Sequence, residues 1–225
     1  MQADAIAVTR ASSFEPFAEE AAAPAVRGFL HRAAGGVGDG LVLTHGAGSN
    51  CRAPLLAAVA EAFAQAGFTV LRCDLPFRQA RPTGPPLGTA ALDREGLRRA
   101  LEALRRIVPG RLFLGGHSYG GRQATLLAAE EPGLAEGLLL LSYPLHPPRR
   151  PAELRTAHFP RLQTPAVFVH GARDPFGSIE EMRAALALIP GPAALAPIEG
   201  GSHSLRPEAA AEALAAFRRA IAPAA

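Results

Sequence analysis

The sequence predicts a three-layer α/β fold: a mostly parallel sheet of about seven to eight strands with helices on both faces. Short apolar runs alternate with longer stretches of helical periodicity, the pattern that repeated strand–helix units leave. With 225 residues, 48% of them apolar, the chain can bury the core such a sheet needs, and it reads as one domain over 1–225 with residues 1–24 peripheral. Aromatic residues make up only 6% and Trp is absent, so Leu, Val and Ala must fill most of that core.

In chain order, the apolar runs that read as strands are Val26–His31, Leu41–Thr44, Thr69–Cys73, Arg111–Leu114, Gly137–Ser142, Ala166–His170 and Ala194–Ile198. A further N-terminal strand is expected around Ala5–Val8. Between them the helical pattern covers Pro54–Ala66, Thr89–Ile107, Tyr119–Glu130, Ile179–Leu188 and Pro207–Ala220. Gly67 stands where a helix-terminating glycine belongs, and Pro109-Gly110 stops the next helix. Ser178 with Glu181 three residues on is a capping-box pattern, which assigns Ser178 to a helix start rather than to chemistry. The segment Arg78–Leu87, rich in Pro, Gly and Arg, reads as a surface loop. Only about twenty residues separate Ser142 from Ala166, too few for a substantial cap domain, so an open site is expected.

Composition excludes several function classes. Net charge is +3 and every basic residue is Arg, scattered or close to Glu, with no basic stripe interleaved with aromatics; no nucleic-acid partner is expected. The strongest apolar run, Leu138–Leu141, is far too short to cross a bilayer, and Met-Gln-Ala-Asp-Ala lacks the basic and apolar segments of a signal peptide. A cytoplasmic protein without a membrane partner is the expectation. Cys51 and Cys73 make neither a disulfide framework nor a zinc site at their spacing, and no metal-ligand cluster stands out, so neither metal nor cofactor is expected.

The most informative segment is Arg111-Leu-Phe-Leu-Gly-Gly-His-Ser-Tyr-Gly-Gly-Arg122. An apolar strand runs directly into Gly116-His117-Ser118-Tyr119-Gly120, and a helical stretch follows: the G-x-S-x-G elbow in its strand–turn–helix context. The flanking glycines avoid collisions of side chains with strand and helix, and the turn pushes the Ser118 hydroxyl out at the carboxyl edge of the sheet. A serine hydroxyl is a poor nucleophile until a base takes its proton. His203, in the loop Gly200-Gly-Ser-His-Ser204 between the last strand and the last helix, is the candidate base. Asp174, just beyond the strand Ala166–His170, is the candidate carboxylate that orients the imidazole. The order Ser, Asp, His is the one this elbow predicts.

An oxyanion needs two donors: the Tyr119 N–H after the nucleophile, and a second from His45-Gly-Ala-Gly-Ser49, with Ala47 the candidate and Gly48 the alternative. His45 reads as a brace for that loop. Tyr143 and His146 follow a strand at its carboxyl end, where they either line the pocket or pack the loop with the neighbouring prolines. Arg122 reads as the donor of a structural hydrogen bond, Cys51 as a buried packing thiol, and Asp74 as a polar support at the site edge.

Together these motifs resemble the α/β-hydrolase superfamily, from about Val26 to the C-terminus. The loop His45–Ser49, the elbow Gly116–Arg122 and Gly200–His203 carry the superfamily likeness. Ser142-Tyr-Pro-Leu-His-Pro-Pro148 and Gly171-Ala-Arg-Asp-Pro-Phe-Gly177 are similar to small, lid-less, dienelactone-hydrolase-like members, including the bacterial group related to the testis-expressed hydrolase-like proteins. True dienelactone hydrolases carry Cys at the elbow, where this chain has Ser118. The resemblance implies a cofactor-free serine hydrolase of small ester or thioester substrates, monomeric or homodimeric. The competing expectation is a non-catalytic scaffold or partner-binding protein on the same fold; a peptidase or a cofactor-free haloperoxidase is a third.

Overall fold

The computed structural model describes residues 14–36, 38–88 and 90–221. Eight strands form one sheet: β1 (Phe14–Glu19), β2 (Val26–His31), β3 (Gly40–Thr44), β4 (Thr69–Cys73), β5 (Leu112–His117), β6 (Leu138–Leu141), β7 (Ala166–Gly171) and β8 (Ala193–Ile198). Their spatial order is β1-β2-β4-β3-β5-β6-β7-β8. β2 is antiparallel to both β1 and β4, and from β4 to β8 every pairing is parallel. The helices are α1 (Pro54–Gln65), α2 (Pro76–Ala80), α3 (Ala90–Arg105), α4 (Tyr119–Glu130), α5 (Ile179–Leu186) and α6 (Ala209–Ile221).

The three layers follow from how the strands divide their side chains. Along β6, Leu138 and Leu140 join the core shared with α3, α4 and α5, whereas Leu139 and Leu141 join the core under α1 and α6. All four are fully buried, the continuous apolar run of a parallel strand covered on both faces. Each such side chain contributes about 1.5–3 kcal/mol over its exposed state. Leu97, Leu101 and Leu127 fill one core; Val59, Phe63 and Phe217 fill the other, with Phe113 and Phe217 edge-to-face at 5.1 Å.

The seven expected strands are present, with differences that have local causes. β5 runs on to His117, because Gly115 and Gly116 hide the apolar pattern yet pair with Leu139 and Leu140. The expected strand Ala5–Val8 lies outside the described residues. β1, not foreseen, is an edge strand whose Glu15, Pro16 and Glu19 obscure any alternation, and Pro16 is tolerated because an edge leaves one row of N–H groups unpaired. α2 occupies the start of the expected loop Arg78–Leu87, one short turn opened by Pro76. The capping box at α5 has both of its bonds, Glu181 N–H to Ser178 Oγ at 3.2 Å and Ser178 N–H to Glu181 Oε2 at 2.7 Å. Between β6 and β7 the only helical element is a single 3-10 turn, Phe159–Arg161, so among the described residues this segment forms no lid over the sheet edge. No described helix is long and apolar enough to cross a membrane.

Because β3 and β5 to β8 run parallel, the loops leaving them converge on one edge. The segments His45–Ser49, Ser118, Asp174 and His203 follow β3, β5, β7 and β8 respectively. In a sheet of this kind that edge is where ligands bind.

Candidate active site

Ser118 sits between β5 and α4 with φ 50° and ψ −112°, a strained backbone for a residue with a side chain. Two glycines make the turn fit. A Cβ on Gly116 would lie 2.7 Å from Gly120 and Gly121 backbone atoms, and one on Gly120 would lie 2.6 Å from the His45 carbonyl. Gly120 N–H donates to that same carbonyl at 3.1 Å, which joins the elbow to the loop after β3.

The Ser118 hydroxyl donates to His203 Nε2 at 2.8 Å, and His203 Nδ1–H donates to Asp174 Oδ2 at 2.8 Å. These partners fix the imidazole tautomer, with its proton on Nδ1. Asp174 is only 5% exposed, and its Oδ1 accepts the Phe176 N–H at 2.8 Å. The Phe176 ring stacks on His203 with centroids 4.0 Å apart, so one residue holds both the carboxylate and the imidazole plane. Behind Asp174, His170 donates through Nε2 to the Gly177 carbonyl at 2.8 Å; its burial pushes its pKa down and keeps it neutral.

His117, the elbow residue before Ser118, donates from Nε2 to the His203 carbonyl at 3.0 Å, and burial pushes its pKa down too. His45 accepts the Leu75 N–H on Nε2 at 3.1 Å and places Nδ1 2.9 Å from the Gly46 carbonyl, which makes it the expected brace. Asp74 accepts the Cys51 N–H at 2.7 Å, and burial pushes the Cys51 thiol up to about 12, the state of an inert packing thiol.

A cleft of about 500 Å³ opens over Ser118 and His203, with Ala47, Gly48 and Tyr119 on its wall. Among the described residues, the N–H groups of Ala47 and Tyr119 donate to no protein acceptor. The Tyr119 hydroxyl points away and donates to Asp93 at 2.7 Å, anchoring the elbow to α3. A second, more apolar cleft of about 390 Å³ adjoins it, sharing Gly46, Ser49, His117 and Ser204 and extending to Leu55, Leu56 and Leu205.

For Tyr143 and His146 the packing alternative holds, and the reading of Arg122 needs correction. Tyr143 and His146 do not line the cleft. Ser142 adopts φ 50°, and beyond it Tyr143 packs inward between Phe159 and Phe168 and donates to the Arg155 carbonyl at 2.7 Å. His146 is 5% exposed, with Nδ1 2.9 Å from the Pro147 carbonyl. From this segment the wall takes Pro144 and Arg155 instead. Arg122, expected to make a structural bond, also lines the cleft, and its buried Nε has no hydrogen-bond partner. Its N–H bonds to the Ser118 carbonyl at 3.0 Å, so it stands one helical turn beyond Ser118 on the same face. That i+4 spacing was the available signal for Arg122; Phe176 and Arg155 offered none comparable.

Residues 38–220 match the protein family described as Alpha/beta hydrolase domain. The chain belongs to this family. Among solved structures, this α/β hydrolase superposes on the dienelactone hydrolase of Anabaena variabilis with TM-score 0.74 at 22% identity, covering 93% of this chain and 98% of that one. A protein of Thermus thermophilus gives TM-score 0.74 at 23% identity over 96% and 100% of the two chains. A lid-less serine hydrolase of Xanthomonas campestris gives 0.69 at 16% identity over 96% and 98%. At these identities the likeness is one of fold.

Proposed function

We propose that this α/β hydrolase is a serine hydrolase that cleaves small carboxylic esters or thioesters through an acyl-Ser118 intermediate. The reading rests on the unbroken hydrogen-bond chain from Ser118 Oγ through His203 to Asp174, 2.8 Å at each step. Ser118 Oγ attacks the ester carbonyl while its proton passes to His203 Nε2, and Asp174 stabilises the imidazolium. The tetrahedral oxyanion accepts hydrogen bonds from the Ala47 and Tyr119 N–H groups, beside the positive end of α4. The carbonyl re-forms, the carbon–oxygen or carbon–sulfur bond breaks, and the leaving group takes the proton from His203. Water then attacks the acyl-enzyme by the same route and frees the acid and Ser118. Every step uses the chain's own groups and water.

The short β6–β7 segment, which forms no lid among the described residues, favours small or surface-presented esters, and the likeness to a dienelactone hydrolase and to a serine hydrolase supports the reaction class. Ser118→Ala is expected to lower turnover of short p-nitrophenyl esters by about 10⁴-fold or more and to abolish fluorophosphonate labelling. Full activity in that variant would overturn the assignment. A wild type that is neither active nor labelled would favour the non-catalytic reading.

A further inference from the structure

The arginines of this protein fall into groups by what satisfies them. Arg27, Arg98 and Arg111 are among those that pair with carboxylates on the surface. The buried Arg72 and Arg78 spend their N–H groups on backbone carbonyls, and Arg72 also on a histidine. Arg122 and Arg155 are less well satisfied than either group. Both line the cleft that holds Ser118, and among the described residues neither takes part in an ion pair.

Arg122 Nε is shielded from solvent with nothing to donate to. The single side-chain hydrogen bond of Arg155 is a long one, 3.3 Å to the Pro144 carbonyl. Burial, and next the charge of Arg122, push the Arg155 pKa below its ordinary value. Glu153, which favours the charge on Arg155, is itself bonded to Arg150 at 3.1 Å. The first turn of α4, which carries Arg122, has no acidic residue. Two cations without carboxylate partners on one open cleft are stabilised when an anion bridges them, and the planar fork of Arg suits a carboxylate or phosphate.

We infer that Arg122 and Arg155 form a subsite for a compact oxyanion on the substrate, so that the ester cleaved at Ser118 is an anionic one. Arg122 lies one helical turn beyond Ser118, and both line the same cleft. The anion and the scissile carbonyl therefore share one small cleft, as in a half-ester of a short dicarboxylic acid or an ester of a small phosphorylated alcohol. The cleavage part rests on the proposed function; the anion subsite does not.

Two measurements separate them. Binding of glutarate and of inorganic phosphate is followed by calorimetry on the wild type, Arg122→Gln and Arg155→Gln. Each variant is expected to weaken binding about tenfold or more, the loss of one charge-assisted bond. Tighter binding of glutarate marks a carboxylate subsite, and tighter binding of phosphate a phosphate subsite. In parallel, kcat/KM is compared for mono-p-nitrophenyl glutarate and p-nitrophenyl butyrate. The wild type is expected to prefer the anionic ester about tenfold or more, with the ratio collapsing towards one in either variant. Because the readout is a ratio, general damage that lowers both substrates alike does not imitate the effect. A wild type that binds neither anion and shows no preference overturns the subsite while leaving a serine hydrolase intact. A wild type that binds glutarate through these arginines but cleaves no ester keeps the subsite and overturns the hydrolase reading.

Discussion

The turn Gly116–Gly121 is held by what its residues lack, whereas the loop after β3 is held by side chains that reach it from elsewhere. In the turn, backbone packs on backbone: Gly116 against Gly120 and Gly121, and Gly120 against His45. In the loop, Arg78 donates to the carbonyls of Ala47 and Ser49 at 2.7 Å each, and also to those of Arg81 and Gly84. His45 and Asp74 tie down its two ends, and Arg72 donates to the Cys51 carbonyl. The elbow is therefore a steric device with one solution, and the loop a polar one whose position depends on distant groups. The two meet at the Gly120–His45 hydrogen bond, where each N–H proposed to hold the oxyanion is supplied by a different one of them.

The largest effect is expected where the two devices touch. Gly120→Ala places a Cβ 2.6 Å from both the His45 carbonyl and Thr44 Cγ2, and neither can yield without moving β3. Overpacking of this kind should cost about 2–3 kcal/mol, read as a lower urea midpoint, with loss of ester turnover. Wild-type stability and activity in that variant would mean that the elbow tolerates bulk and is not held by contact.

Arg78→Gln should act differently. Arg78 is only 6% exposed, and its removal leaves carbonyls of the loop without donors. If the loop supplies one of two oxyanion donors, kcat should fall about tenfold to a hundredfold, with a smaller change in KM. A rise in KM alone would place Arg78 in substrate binding instead, and no change in either would show that the loop holds itself.

This contrast also explains what the sequence made legible. The elbow, the strand ends and the order Ser118, Asp174, His203 are local patterns whose physics is confined to a few neighbouring residues. Arg78 is invisible as a clamp because its partners lie up to 31 residues away and are backbone atoms, which any residue provides. For Tyr143 and His146 the sequence leaves pocket and packing both open for a similar reason: strand register points to the right edge, but the turn at Ser142 decides which way the next side chains face. β1 escaped notice because an edge strand with charged and prolyl positions lacks alternation. Arg155 reaches the cleft only because its N–H bonds back to the Leu145 carbonyl at 2.8 Å, folding the Pro-rich segment onto itself.

The smallest effect tests the polar device by pH. Arg72 Nε–H donates to His31 Nε2 at 2.8 Å while another N–H of the same guanidinium holds the Cys51 carbonyl, so His31 must stay neutral for this clamp to form. Burial, and next the charge of Arg72, lower the His31 pKa from 6.5 to about 4. The folded state thus binds this proton less readily than the unfolded chain does. Stability from this site is full above pH 6.5 and is lost as the pH falls from there towards 4. His31→Gln keeps an acceptor for Arg72 but cannot take the proton, so its urea midpoint should fall less between pH 7 and pH 5 than that of the wild type. The difference is expected to be partial, because the buried His158, with its pKa also near 4, titrates over the same range. An equal fall in both proteins would mean that the Arg72 clamp survives acid.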